Sequence, residues 1–101
     1  MIEAGSVVVI ALSGPREKYW GRLVALTAVG VQVHGLDLHN VIEWARQIAR
    51  QEPVPMALGT VFFPLSRVEK IMLDEDAPSA PSILSQVRRL MGSELDDHLK
   101  L

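Results

Sequence analysis

At 101 residues, 49 % hydrophobic and 22 % charged, the chain makes one domain with enough apolar substance for a core, which excludes disorder of the whole. It has no cysteine, and that rules out disulfides, thiolate metal sites and cysteine nucleophiles. The formal net charge of -2 supplies no bulk attraction to nucleic acid, and no apolar run approaches the ~20 residues of a membrane span. Surplus apolar surface in so small a protein points to a subunit interface, so a homo-oligomer is expected. The start of the chain carries Glu3 rather than a basic segment, so no signal peptide is read there and a cytoplasmic location is expected.

In chain order, Val7 to Leu12 is an unbroken apolar run between Gly5-Ser6 and Ser13-Gly14-Pro15. With no polar face, it should be covered on both sides, or on one side by a neighbouring subunit. Tyr19 to Leu26 reads as a second strand, with Trp20, Arg22, Val24 and Leu26 on one face and Gly21, Leu23 and Ala25 on the other. Gly21 inside it marks a bend or a close backbone approach. Val31 to Leu36 alternates apolar and polar residues as a half-solvated strand does.

The period then lengthens. Leu38, Val41, Ile42, Ala45, Ile48 and Ala49 recur at helical spacing, with Trp44 widening the stripe and Asp37 or Asn40 as cap. Arg46, Gln47, Arg50 and Gln51 take the outer face, and Pro53 and Pro55 bar continuation. Two strands follow, Val61-Phe62-Phe63 and Val68 to Leu73, cornered by Pro64-Leu65-Ser66-Arg67. Both faces of the last strand carry apolar groups, Val68 and Met72 with Lys70 on one, Ile71 and Leu73 on the other. That suits a strand that also meets another chain.

Asp74 to Pro81 is rich in acid and proline and reads as a linker. A helix is predicted from about Ser82, with Ile83, Leu84, Val87, Leu90 and Met91 on one side and Gly92 as its stop. Leu95, Leu99 and Leu101 lie in an acidic tail expected to fray. The predicted order is β-β-β-α-β-β-α, mainly β with helices: a small, strongly bent five-stranded barrel over 1–76 with an inserted helix at about 38–52, then a linker and C-terminal helix over 77–101.

Gly21-Arg22-Leu23-Val24-Ala25-Leu26-Thr27-Ala28-Val29-Gly30-Val31-Gln32-Val33 has the glycine and apolar rhythm of one family motif, and Val61 to Leu73 has the spacing of its second. On these stretches the chain resembles the Sm-like family, which includes the Hfq-like proteins, with its SH3-like barrel. The resemblance implies a ring joined through sheet edges, with Val61, Phe62, Phe63, Val68 and Met72 at the interface, and it implies RNA binding. The family's uridine-pocket residues do not carry over. Thr27 stands at the aspartate position, Gly30-Val31 in the asparagine region and Pro64-Leu65 in place of the basic-glycine pair.

Two functions are therefore expected as alternatives. One is nucleic-acid binding, RNA above all, through a rewired surface using Arg22, Arg46, Arg50 and Arg67. The other is a structural or adaptor module whose protein partner meets Trp44 or the C-terminal helix. Tyr19 and Trp20 beside Arg22 resemble a base-stacking platform but fit a core equally. Ser13-Gly14-Pro15-Arg16 and Ser66-Arg67 read as anion-holding turns or as plain polar turns. Asp37, His39 and His34 fall short of a metal ligand set, and no carboxylate or histidine has catalytic spacing. Neither a cofactor nor an enzymatic activity is expected.

Overall fold

The computed structural model describes residues 1–100. Strands β1 (Val7–Leu12), β2 (Glu17–Leu26) and β3 (Gly30–Asp37) lead into helix α1 (Leu38–Ala49). Strand β4 (Gly59–Pro64), a 3-10 turn over Leu65–Arg67 and β5 (Val68–Leu73) follow, then α2 (Ile83–Met91) and α3 (Glu94–Leu99). One antiparallel sheet results, ordered β4-β3-β2-β1-β5. The proline corner forms where predicted, but it does not close a cylinder. Among the described residues no ladder joins β4 to β5, so they are the two edges of an open sheet.

The sheet is sandwiched between two cores. Val8, Ile10, Leu12, Leu23, Val31, Val33 and Phe63 fill its inner face, with Val61 of one edge and Ile71 of the other packed against them. Both edges reaching one cluster means that the sheet curls around it. The outer face carries Trp20 and Leu36 beneath Val41, Trp44 and Ala45 of α1, Val87 and Met91 of α2, and Leu95 and Leu99 of α3. Val7 and Val9 pack on that outer cluster while Val8 and Ile10 are fully buried in the inner one. The chain itself thus covers both faces of β1, which explains why its sequence has no polar face.

Two bulges alter the expected faces. Leu23 pairs with Val33 but Ala25 with Gln32, leaving Val24 as the extra residue. Each side chain beyond it swaps faces, so Leu26 lies across from Val31 and is 51 % exposed instead of continuing the Trp20 face. In β5, Ala11 pairs with Lys70 and Leu12 with Val68, making Glu69 the extra residue. Val68 therefore joins Ile71 and Leu73 on the inner core rather than sharing a face with Lys70 and Met72.

Asp37, not Asn40, caps α1, its carboxylate accepting the His39 N–H at 2.9 Å. The helix closes at Ala49, about three residues before the expected end near 52, and Gln51 takes a left-handed φ of 56°. Ala49 is exposed, and Gln47, predicted on the solvent face, turns its Oε1 inward with no partner among the described residues.

The predicted linker is a capping device. Asp74 accepts the Ile83 and Leu84 N–H groups at 2.8 and 2.7 Å, and its Oδ2 also takes the Trp20 indole N–H at 2.9 Å. Asp76 accepts the Ser82 N–H at 2.8 Å and the Ser85 hydroxyl at 2.9 Å, while the Ser82 hydroxyl caps Ser85 N–H at 2.9 Å. The bond from Ser82 N–H, then the one from Ser85, holds the Asp76 carboxyl below the usual carboxylate range. Helix α2 then ends at Gly92 with φ 64°, as predicted, though Leu90 is 37 % exposed. The tail does not fray over 94–99: Leu95 and Leu99, one turn apart, are buried, and Glu94, Asp96 and Asp97 sit in the first turn, where the helix dipole favours acids. Leu101, grouped with them above, lies outside the described residues.

Candidate functional site

The four arginines expected to meet phosphate do not form one surface. Arg67 is enclosed. Its Nε donates to Ser13 O at 3.0 Å, and its Nη2 donates to Pro15 O at 2.9 Å and Glu17 Oε1 at 3.0 Å. Its guanidinium lies 5.7 Å from the Phe63 ring centroid, and Ser13 N–H returns a bond to Arg67 O at 2.8 Å. The two turns read as anion holders are thus together, but they satisfy each other: the 13–15 turn turns carbonyls to the cation. Arg22 donates from Nη1 to Leu99 O at 3.2 Å and so tethers the end of α3. Arg46 lies 3.8 Å from Glu43, and Arg50 lies 4.0 Å from Glu52. Both pairs are exposed and worth little to stability, but they offset the positive charge that phosphate would need.

The aromatic platform is absent as well. Trp20 and Trp44 have no exposed surface. Tyr19 packs edge-on to Phe63 at 5.2 Å, and its hydroxyl donates to Gly35 O at 3.3 Å. Burial, then the carboxylates of Asp37 and Glu17, push the Tyr19 phenol above its ordinary pKa. Trp44 meets the His98 ring edge-on at 5.3 Å, so a partner reaches it only if α3 leaves. His34 is equally engaged: its Nδ1 is 3.0 Å from Thr60 Oγ1 and its Nε2 3.1 Å from His98 O. Among the described residues no three His, Asp or Glu side chains gather into a metal-holding group. No described helix is long and apolar enough to cross a membrane.

What remains open is the backbone of the two edges. Pro64, opposite Gly30, has no N–H to give, and the Leu65 N–H reaches back to Val29 O at 3.1 Å. By the alternation of an antiparallel ladder, Phe62 and Thr60 therefore turn their N–H groups away from β3, toward the free side. On β5 the Asp74 N–H bonds to Val7 O at 2.9 Å, which by the same alternation turns Ile71 and Leu73 outward. Of the five residues expected at an interface, Phe62 is the most exposed at 52 %. Its ring lies across Gly30, close enough that a Cβ there would meet it at 2.3 Å. Val29, 71 % exposed, and Leu65, 41 %, extend the apolar rim around it. Val61 and Val68 are half-buried against the inner core, Met72 is half-buried across from Val9, and Phe63 is 7 % exposed. No family model, curated protein or solved structure matches the chain.

The signal that marked these edges was the proline corner. Sequence reasoning placed Arg16 in an anion-holding turn but did not single out Lys18; the two line a shallow open depression of about 430 Å3 with Glu17, Asp37, Leu38 and His39. Neither cation forms an ion pair among the described residues. The place of Lys18 at the start of β2 gave no hint of that.

Proposed function

We propose that the chain is a divergent Sm-like, SH3-type module that joins copies of itself edge to edge into a ring and serves protein interaction rather than nucleic-acid binding. The single observation behind this reading is that the strands on either side of the proline corner are opposite edges of one curled sheet. A β4 edge of one copy added to the β5 edge of the next is a heterologous contact, and such contacts close into rings when the rotation allows. Backbone pairing alone is too weak. A few new bonds contribute about 1 kcal/mol net each, against an association cost of at least ~4 kcal/mol. The apolar rim at Phe62, Val29 and Leu65 has to supply the rest.

The nucleic-acid reading loses support because Arg22 and Arg67 are bonded to backbone carbonyls, and Arg46 and Arg50 face acids. Light scattering coupled to gel filtration tests the assembly. The wild-type chain should elute at a multiple of its own mass. Phe62→Pro, which removes an outward N–H and the exposed ring without taking a bond from β3, should run as a folded monomer. A wild-type monomer at high concentration, or an unchanged multiple in Phe62→Pro, sinks the reading. Oligo-U, oligo-A and duplex DNA should all fail to bind at low salt, where phosphate contacts are strongest. Salt-sensitive binding of any of them would restore the RNA alternative.

A further inference from the structure

We propose that the depression between the β1–β2 turn and the start of α1 binds a small sugar phosphate, its phosphate on Arg16 and Lys18 and its hydroxyls on Asp37 and Glu17. The site lies on the central strands, away from both edges, and stands independently of the assembly.

Its lining has two chemical sides. Arg16 and Lys18 are exposed cations without an ion-pair partner among the described residues, whereas Arg46, Arg50, Arg67 and Arg88 each have one and Arg22 is bonded to the Leu99 carbonyl. Lys18 and Lys70 are both register partners of Ala11, so a further cation projects from the same face two strands away, on β5 and outside the depression's lining. A phosphate monoester, close to a dianion at neutral pH, matches this side. The helix start is already capped by Asp37, so the attraction rests on the side chains.

The other side carries carboxylates with capacity to spare. Asp37 uses Oδ1 on the His39 N–H, and Glu17 uses Oε1 on Arg67, which leaves Oδ2 and Oε2 as acceptors. A bare anion would be repelled by them, and a simple cation by Arg16 and Lys18. A molecule with an anionic end and hydroxyl donors satisfies both sides, and Leu38 offers an apolar surface for its carbon skeleton. The volume of about 430 Å3 falls in the range of small-molecule sites.

The test is a titration of the full-length 15N-labelled chain at low ionic strength with glucose 6-phosphate, glucose and inorganic phosphate, followed at the Lys18, Leu38 and His39 amides. Glucose 6-phosphate should give saturable shifts there at an affinity at least about tenfold above inorganic phosphate, with none from glucose. Arg16→Gln and Lys18→Gln should each weaken binding about tenfold with an unchanged melting midpoint, while Lys18→Arg retains it. The proposal is overturned if glucose 6-phosphate does not saturate, if inorganic phosphate or glucose binds equally well, or if the two glutamine variants bind like the wild type.

Discussion

Asp74→Ala is expected to cost the fold about 3–4 kcal/mol, the largest loss of any single acidic side chain here. One carboxylate serves three donors: the Trp20 indole N–H and the first two N–H groups of α2. Trp20 has no exposed surface, so its N–H gains no water when the carboxylate goes. Each bond to a charged acceptor is worth about 1.5–3 kcal/mol, but the three share a partner and do not add fully. For a domain of this size the melting midpoint should fall by roughly 15–25 °C. The control is Trp20→Phe in both backgrounds. In the wild type it removes the donor and leaves Asp74 to α2. In Asp74→Ala it removes an already orphaned donor, so its cost should shrink. Equal cost in the two backgrounds would mean that the bond contributes nothing. An Asp74→Ala loss no larger than that of Glu75→Ala, an exposed neighbour, would dispose of the hub altogether.

Much of this hub was hidden because its partner lies far along the chain. Asp74 and Trp20 are 54 residues apart, and no local pattern links them. The segment Asp74 to Pro81 has linker composition, yet Asp76, Ser82 and Ser85 turn it into a cap. The strands were legible because period-two alternation and bounding Gly and Pro are local signals. So was α1, whose stripe survives as Val41, Trp44 and Ala45 in the core. A bulge adds one residue without disturbing the composition, so the extra residues Val24 and Glu69 changed the faces of Leu26 and Val68 unseen. Helix α3 was marked by Leu95 and Leu99 at i, i+4, a signal too short to outweigh the acids around it. The arginines failed for a different reason. Arg22 and Arg67 bond mainly to carbonyls of Leu99, Ser13 and Pro15, and every residue has a carbonyl, so residue type reveals no such partner. Charge spacing shows where a cation is, not what already holds it.

Gly35→Ala should be the most damaging exchange in the sheet, at about 3 kcal/mol or more. Gly21, Gly35 and Gly59 form a row across β2, β3 and β4, each paired with the next. A Cβ at Gly35 would stand 1.9 Å from Trp20 O and 2.6 Å from Gly21 Cα, and one at Gly21 would stand 2.3 Å from His34 O. These neighbours are backbone atoms and cannot rotate aside, so the strands would have to part beside the buried Trp20. Neither glycine has a positive φ, so the penalty is steric contact rather than backbone conformation. Gly59 supplies the contrast, with nothing within 4 Å of its added Cβ. Gly59→Ala should be neutral or stabilising by up to about 1 kcal/mol, since it only narrows the unfolded ensemble. Urea unfolding of the two variants measures the difference directly. If the alanines behave alike, the close approach of β2 and β3 is not what lets the sheet curl. If they differ as expected, the same crease governs how β4 is turned relative to β5. Edge pairing between copies should then weaken in any Gly21 or Gly35 variant that still folds, even though neither residue lies on an edge.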